Sequence, residues 1–143
     1  MKPKSYRKKT ATKRARQAAL DAVAEAGEVV QNVLAELPDL LAVAVVDART
    51  GTSLAAHSND ASIAPATAAA FNAEVVRQKQ KALTALNLID EQIEDILISL
   101  SSQLHLMKLA DGGRKFIYLA VSAQATNLAT AREVLRTQAG QLR

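Results

Sequence analysis

The chain has 143 residues, 49% of them apolar, with no cysteine, no tryptophan and a formal charge of +4. That length and apolar share suit one domain with one core, and the missing thiols exclude disulfides, thiolate metal sites, iron–sulfur clusters and a cysteine nucleophile. No apolar run approaches the ~20 residues of a membrane-spanning helix, and the basic start leads into an Ala-rich segment carrying Asp21, Glu25 and Glu28, unlike a signal-peptide core. The expected location is the cytoplasm, with no membrane span.

The charge is unevenly placed. Lys2, Lys4, Arg7, Lys8, Lys9, Lys13, Arg14 and Arg16 fall within residues 1–17, which hold no acid. The remainder has ten bases against fourteen acids, a formal −4, so the high isoelectric point belongs to this short segment. Residues 1–17 are expected to form a basic, disordered tail, and residues 18–143 the folded domain.

In chain order, apolar residues from Ala15 to Leu37 recur at Ala19, Ala22, Val23, Ala26, Val29, Val30, Val33, Leu34 and Leu37. That is the three-and-four spacing of an amphipathic helix. Pro38 disfavours helical geometry at Leu37 and should end it. Leu40 to Val46 is a short, β-branched apolar run and reads as a buried strand. Asp47-Ala48-Arg49-Thr50-Gly51 is turn chemistry, and Thr52 to His57 is the returning strand of a hairpin. The polar link 58–62 offers N-cap residues, and Pro65 suits the first turn of a long helix running to Leu86. Ala68, Phe71, Val75, Ala82 and Leu86 form its apolar stripe, widened by small alanines that let another helix approach closely.

Three further strands are expected over Ile93 to Leu100, Gln103 to Leu109 and Arg114 to Val121. Ser101-Ser102 and Asp111-Gly112-Gly113 are links short enough to force antiparallel pairing. Asn127 caps a final helix traced by Leu128, Ala131, Val134, Leu135 and Gln138. The order αββαβββα implies an α+β domain: one five-stranded antiparallel sheet with helices packed over it.

This order and its local wording resemble the roadblock/LC7 family, a profilin-like fold, in its bacterial, stand-alone form with a basic N-terminal extension. The resemblance runs from about Leu34 to Leu135. It is carried by Ala44-Val45-Val46-Asp47 leading to Gly51, by the long Ala-rich helix, and by Ile117-Tyr118-Leu119-Ala120-Val121 followed by Asn127-Leu128-Ala129. Arg132 stands where relatives often have a base. The first hairpin turn is one residue longer than the common Asp-x-x-Gly form, which should shift the register of the return strand. The resemblance implies a homodimer in which the central helices pack together and the first meander strands pair. On this chain the interface would comprise Ala68, Phe71, Val75, Ala82, Ile96 and Ile98. It also implies a regulatory or scaffold role on a protein partner, a Ras-like small GTPase or an assembly that uses such dimers as adaptors. The residues leave a second reading of the stripe open, that it simply covers the monomer's own sheet.

No set of side chains converges on catalysis, and neither enzyme activity nor a cofactor is expected. His57 and His105 lack ligand or base partners at useful spacings. His105, between Leu104 and Leu106, reads as a structural histidine. Ser101-Ser102 lacks a nucleophile elbow, and Gly112-Gly113 precedes a strand where a phosphate loop would precede a helix. Asp90, Glu91, Glu94 and Asp95 lack the pattern of a calcium loop and read as solvated carboxylates, so no metal is expected. The basic segment is the remaining candidate. Its eight charges would attract nucleic acid or another anionic surface without sequence preference, or serve only as a solubilising arm.

Overall fold

The computed structural model describes residues 4–143. Helix α1 spans Lys4–Glu36, strands β1 and β2 span Ala42–Asp47 and Ser53–Ser58, and helix α2 spans Pro65–Ala85. Strands β3, β4 and β5 (Asp95–Ser99, Gln103–Ala110, Lys115–Ser122) precede helix α3 at Leu128–Ala139. The five strands form one sheet in the order β2-β1-β5-β4-β3, and every pairing is antiparallel. The expected fold class and element order hold. No helix among the described residues is long and apolar enough to cross a membrane.

Strand alternation divides the core into two layers. Val43, Val45, Leu106, Ile117, Leu119 and Val121 face α1 and α3, where Ala26, Val29, Val30 and Val33 meet Ala131 and Leu135. On the opposite face Ala42, Ala44, Val46, Phe116, Tyr118 and Ala120 receive Ala69, Ala73 and Val76 of α2. Strand β5 is buried on both faces, as a central strand requires. Alanine opposite alanine on β1 and α2 lets that helix lie close to the sheet.

The longer first turn has the expected consequence. Val45 pairs with Ala55 but Val46 pairs with Ser53, so Leu54 is the extra residue of a β-bulge. Asn127 caps α3 as expected, its Oδ1 accepting from Thr130 N at 3.1 Å. Helix α2 differs: its N-cap is Ala64 without a side-chain cap, and Asp60 instead accepts from the Ser62 backbone and hydroxyl.

The main correction concerns the first residues. Residues 4–17, expected as a disordered tail, are the first turns of α1, and Lys2 lies outside the described residues. Two physical facts account for this. Alanine, lysine and arginine are good helix formers, and the packed half from Ala26 onward supplies the nucleus, leaving only propagation. The boundary near residue 17 is thus a change of charge within one helix, and no described residue before Ala26 is buried.

The β4–β5 turn ties the sheet to α2. Gly113 has φ +86°, and its carbonyl accepts from Gln80 Nε2 at 3.1 Å. A Cβ at this position would stand 2.7 Å from that same nitrogen, whereas one at Gly112 would meet nothing. Gly113→Ala should therefore cost about 1–3 kcal/mol in chemical denaturation, from left-handed strain plus a displaced hydrogen bond. Gly112→Ala should lose only the strain part, and equal losses would show that Gln80 contributes nothing.

Candidate interaction face

Helix α2 lies chiefly over β1 and β2; on the same face Met107 of β4 is buried in its cluster, whereas His105 of β4 and Ile96 and Ile98 of β3 are only half-buried. The flank of α2 and this open sheet surface form the two walls of a trough. Ala68 and Phe71 stand on one wall and His105 and Tyr118 on the other, around a cavity of about 340 Å³ that Ile63 also lines. Ile96 and Ile98 continue the sheet wall outward on the edge strand, opposite Met107 and His105.

The six expected interface residues fall on this side of the molecule but differ in burial. Phe71 is 67% exposed, the barest aromatic among the described residues. Ala68, Val75, Ile96 and Ile98 are half-buried and pack against the cluster between α2 and the sheet; Ala82 is half-buried further along the helix. Residues fully turned to the sheet are Ala69, Ala73 and Val76. At 100° per residue these lie about a third of a turn from the stripe of Ala68, Val75 and Ala82. The stripe thus serves the monomer's core along one margin and the trough along the other.

His105 and Tyr118 make the polar centre of the sheet wall. Tyr118 Oη lies 3.2 Å from His105 Nδ1, His105 Nε2 lies 2.8 Å from Gln103 Oε1, and the rings meet edge to face at 5.5 Å. Burial pushes the Tyr118 hydroxyl up to about 12, so it stays protonated; because Gln103 Oε1 can only accept, a neutral His105 leaves Nδ1 to accept from that hydroxyl. Nε2 then carries the imidazole proton and donates to Gln103. Burial also holds His105 below its ordinary 6.5, and no charged side chain lines this cavity. This is a satisfied neutral histidine.

A stability consequence follows from that direction. The unfolded imidazole takes up its proton near pH 6.5, the folded one only at lower pH, so the neutral pair's contribution is complete above 6.5 and declines as pH falls below it. Asp60, held down by the Ser62 hydroxyl and amide, acts in a separate window below 3.8. So does Asp47, where burial raises the carboxyl but hydrogen bonds and charge from Arg49 together outweigh it. Denaturation at pH 7.5 and 5.5 should show wild type losing stability on acidification and His105→Gln losing less. An equal loss in both would place the proton elsewhere.

The edge strand β3 is anchored from the other layer. Arg132 of α3 forks onto Asp95, with Nε to Oδ2 at 3.0 Å and Nη2 to Oδ1 at 3.3 Å, and Lys108 meets Glu94 at 3.3 Å. Two of the four carboxylates read as solvated are therefore paired, and Asp90 and Glu91 are exposed. Among the described residues no group of three or more His, Asp or Glu side chains stands close enough to hold a metal.

Two other regions gather positive charge. Arg49, Arg77 and Arg114 converge on a cleft of about 430 Å³ where both hairpin turns reach α2. Each is engaged: Arg49 with Asp47, Arg114 with Asp111, and Arg77 with the Ala48 carbonyl at 2.8 Å. Arg77 ties α2 to the first turn, whereas Arg49 and Arg114 each pair within their own turn and keep largely exposed side chains. Lys4, Arg7, Lys8, Lys9, Lys13, Arg14 and Arg16 are all exposed on the projecting turns of α1, and none of them is in an ion pair with another described residue.

A five-stranded antiparallel sheet in this strand order, with α1 and α3 on one face and α2 on the other, is the roadblock/LC7 fold. Among solved structures the chain is similar to Myxococcus xanthus MglB, with a TM-score of 0.71 at 16% identity over 84% of this chain and 86% of that one. It is similar also to the gliding protein MglB from Thermus thermophilus, at 0.67 and 17% over 85% and 87%. A roadblock/LC7 domain from Streptomyces avermitilis gives 0.67 and 12% over 79% and 90%. At these identities the likeness is one of fold. No protein-family model matches the sequence, and no curated protein matches it significantly.

Proposed function

We propose that the chain is a homodimeric, non-catalytic regulatory or scaffold module that presents its paired α2 helices to a protein partner. The carrying observation is the open trough: an apolar strip bounded by the bare ring of Phe71 and continued by Ile96 and Ile98 onto an edge strand whose outer side faces no strand among the described residues. Strand β3 has no proline and only Asp95 as a charge, and Arg132 already holds that carboxylate, so the edge has little protection from pairing. Antiparallel pairing of β3 with its own copy would bring each Phe71 toward the other protomer's trough. A two-fold contact of this kind is self-complementary. One solved structure of similar fold is described as MglB with a tetrameric arrangement, which supports self-association as a habit of the fold.

The partner class implied by the family resemblance is a Ras-like small GTPase. Nothing in the trough resembles a donated catalytic group, because its titratable pair, His105 and Tyr118, is internally satisfied. Influence on such a partner would come from surface shape. Purified chain should retain a small GTPase from native lysate, with retention depending on whether GDP or a GTP analogue is present. Retention of no GTPase under either condition would remove this partner class while leaving the dimer untouched.

A further inference from the structure

We propose that the projecting turns of α1, residues 4–16, form a docking helix for the phosphate backbone of double-stranded DNA. The inference does not depend on the dimer or on its protein partner. The described part of α1 buries nothing before Ala26, and its stretch from Lys4 to Asp21, about 27 Å long, precedes the half-buried Ala22 and the Glu25 that accepts from the Arg143 amide. Charge is segregated along the same line. Residues 1–17 carry eight bases and no acid, whereas the rest of the chain has a formal −4. A polyanion is attracted to the arm and repelled by the body, which orients the encounter.

The arrangement of charge around the helix selects the kind of surface. Arg7 and Arg14, seven apart, share one side; Lys9, Lys13 and Arg16, spaced by four and three, share the opposite side. A flat anionic membrane could engage only one side at a time. The major groove of B-DNA, about 12 Å wide, admits a helix and sets a row of phosphates on each wall. Membrane insertion also needs a large apolar face. Between Lys4 and Gln17 the only large apolar side chain is Tyr6, the rest of the non-basic positions being alanine, serine, threonine and glutamine.

The helix is also electrostatically incomplete by itself. Lys4 repels Arg7 and Lys8, Lys13 repels Lys9 and Arg16, and the first turn contains no acid. Phosphates on both sides would relieve all four repulsions, so binding should tighten the arm's helix. With the arginines and lysines spread on both sides to meet phosphates, and no asparagine or glutamine before Gln17 to read adenine, contact should depend little on base sequence.

The test uses the full-length chain and a 30-base-pair mixed-sequence duplex, read by fluorescence anisotropy across salt concentrations. Wild type should bind, with helicity at 222 nm rising on addition of DNA. The fourfold variant Lys9→Gln, Lys13→Gln, Arg14→Gln, Arg16→Gln should bind at least about a hundredfold more weakly, with a log–log salt slope shallower by about 3–4. A charge-conserving set, Lys9→Arg with Lys13→Arg, should bind as wild type does. An unchanged thermal transition in all variants would show that the body is intact. Equal binding by the fourfold variant, or binding to phosphatidylserine vesicles without binding to DNA, would overturn the proposal.

Discussion

Phe71→Glu should turn the dimer into a monomer while leaving the fold unaltered. The ring is 67% exposed in the single chain, so a carboxylate there desolvates nothing within the monomer. In the dimer each copy would push its charge into the apolar trough of the other, and two-fold symmetry makes the penalty count twice. Weakening by at least about a hundredfold is expected, since each 1.4 kcal/mol is a factor of ten and a buried aromatic anchor carries about 2–4 kcal/mol. Sedimentation should find the monomer, and circular dichroism should find the wild-type spectrum. Val75→Glu is the harsher companion. Val75 is half-buried against its own sheet cluster, so this change should lower fold stability as well as mass. A Phe71→Glu chain that remains dimeric would mean that the trough is not where the copies meet.

Leu119→Ala should have the opposite signature, a large loss of stability with the dimer retained. Leu119 is fully buried on the central strand, facing the layer of α1 and α3, away from the trough. Removing its side chain leaves a cavity among Val43, Leu106 and Ile117 that the flanking strands cannot close, at a cost of about 2–5 kcal/mol. The midpoint of urea denaturation should fall accordingly. At low denaturant the variant should still sediment as wild type does. Loss of the dimer without loss of stability would contradict the two-layer assignment, because it would couple the wrong face to the interface.

What could be read from the sequence depended on how strongly each side chain reports its surroundings. The β-branched runs 42–46 and 116–121 announced central strands, and the five-residue turn after Val46 announced the bulge that the pairing of Val46 with Ser53 displays. Helix α2 was less legible. Alanine occupies buried positions (Ala69, Ala73) and outer ones (Ala66, Ala70) alike, so its periodicity cannot separate the sheet-facing row from the row a third of a turn away. Phe71 was visible as part of a stripe, but its exposure follows from where α2 sits over β1 and β2.

The polar features were hidden for another reason. His105 meets Tyr118 only because β4 and β5 pair with Met107 opposite Tyr118, a register decided by where the Asp111–Gly113 turn closes. Arg132 and Asp95 are 37 residues apart and meet only when α3 lies back across the sheet. The helical state of residues 4–17 was obscured by composition. A basic run with no core to pack on resembles a disordered tail, and what changes the outcome is continuity with a helix nucleated farther along. The same continuity makes the arm a rod that holds its charges at fixed angles, the property on which the DNA proposal rests.

Everything proposed for the α2 face depends on two copies of this chain joining through the trough and the β3 edge. Sedimentation equilibrium of the wild-type chain at tens of micromolar decides whether they do. The expected mass is twice 15.2 kDa, shifting to the single-chain mass in Phe71→Glu; a wild-type chain that sediments as a monomer across that range would contradict the dimer.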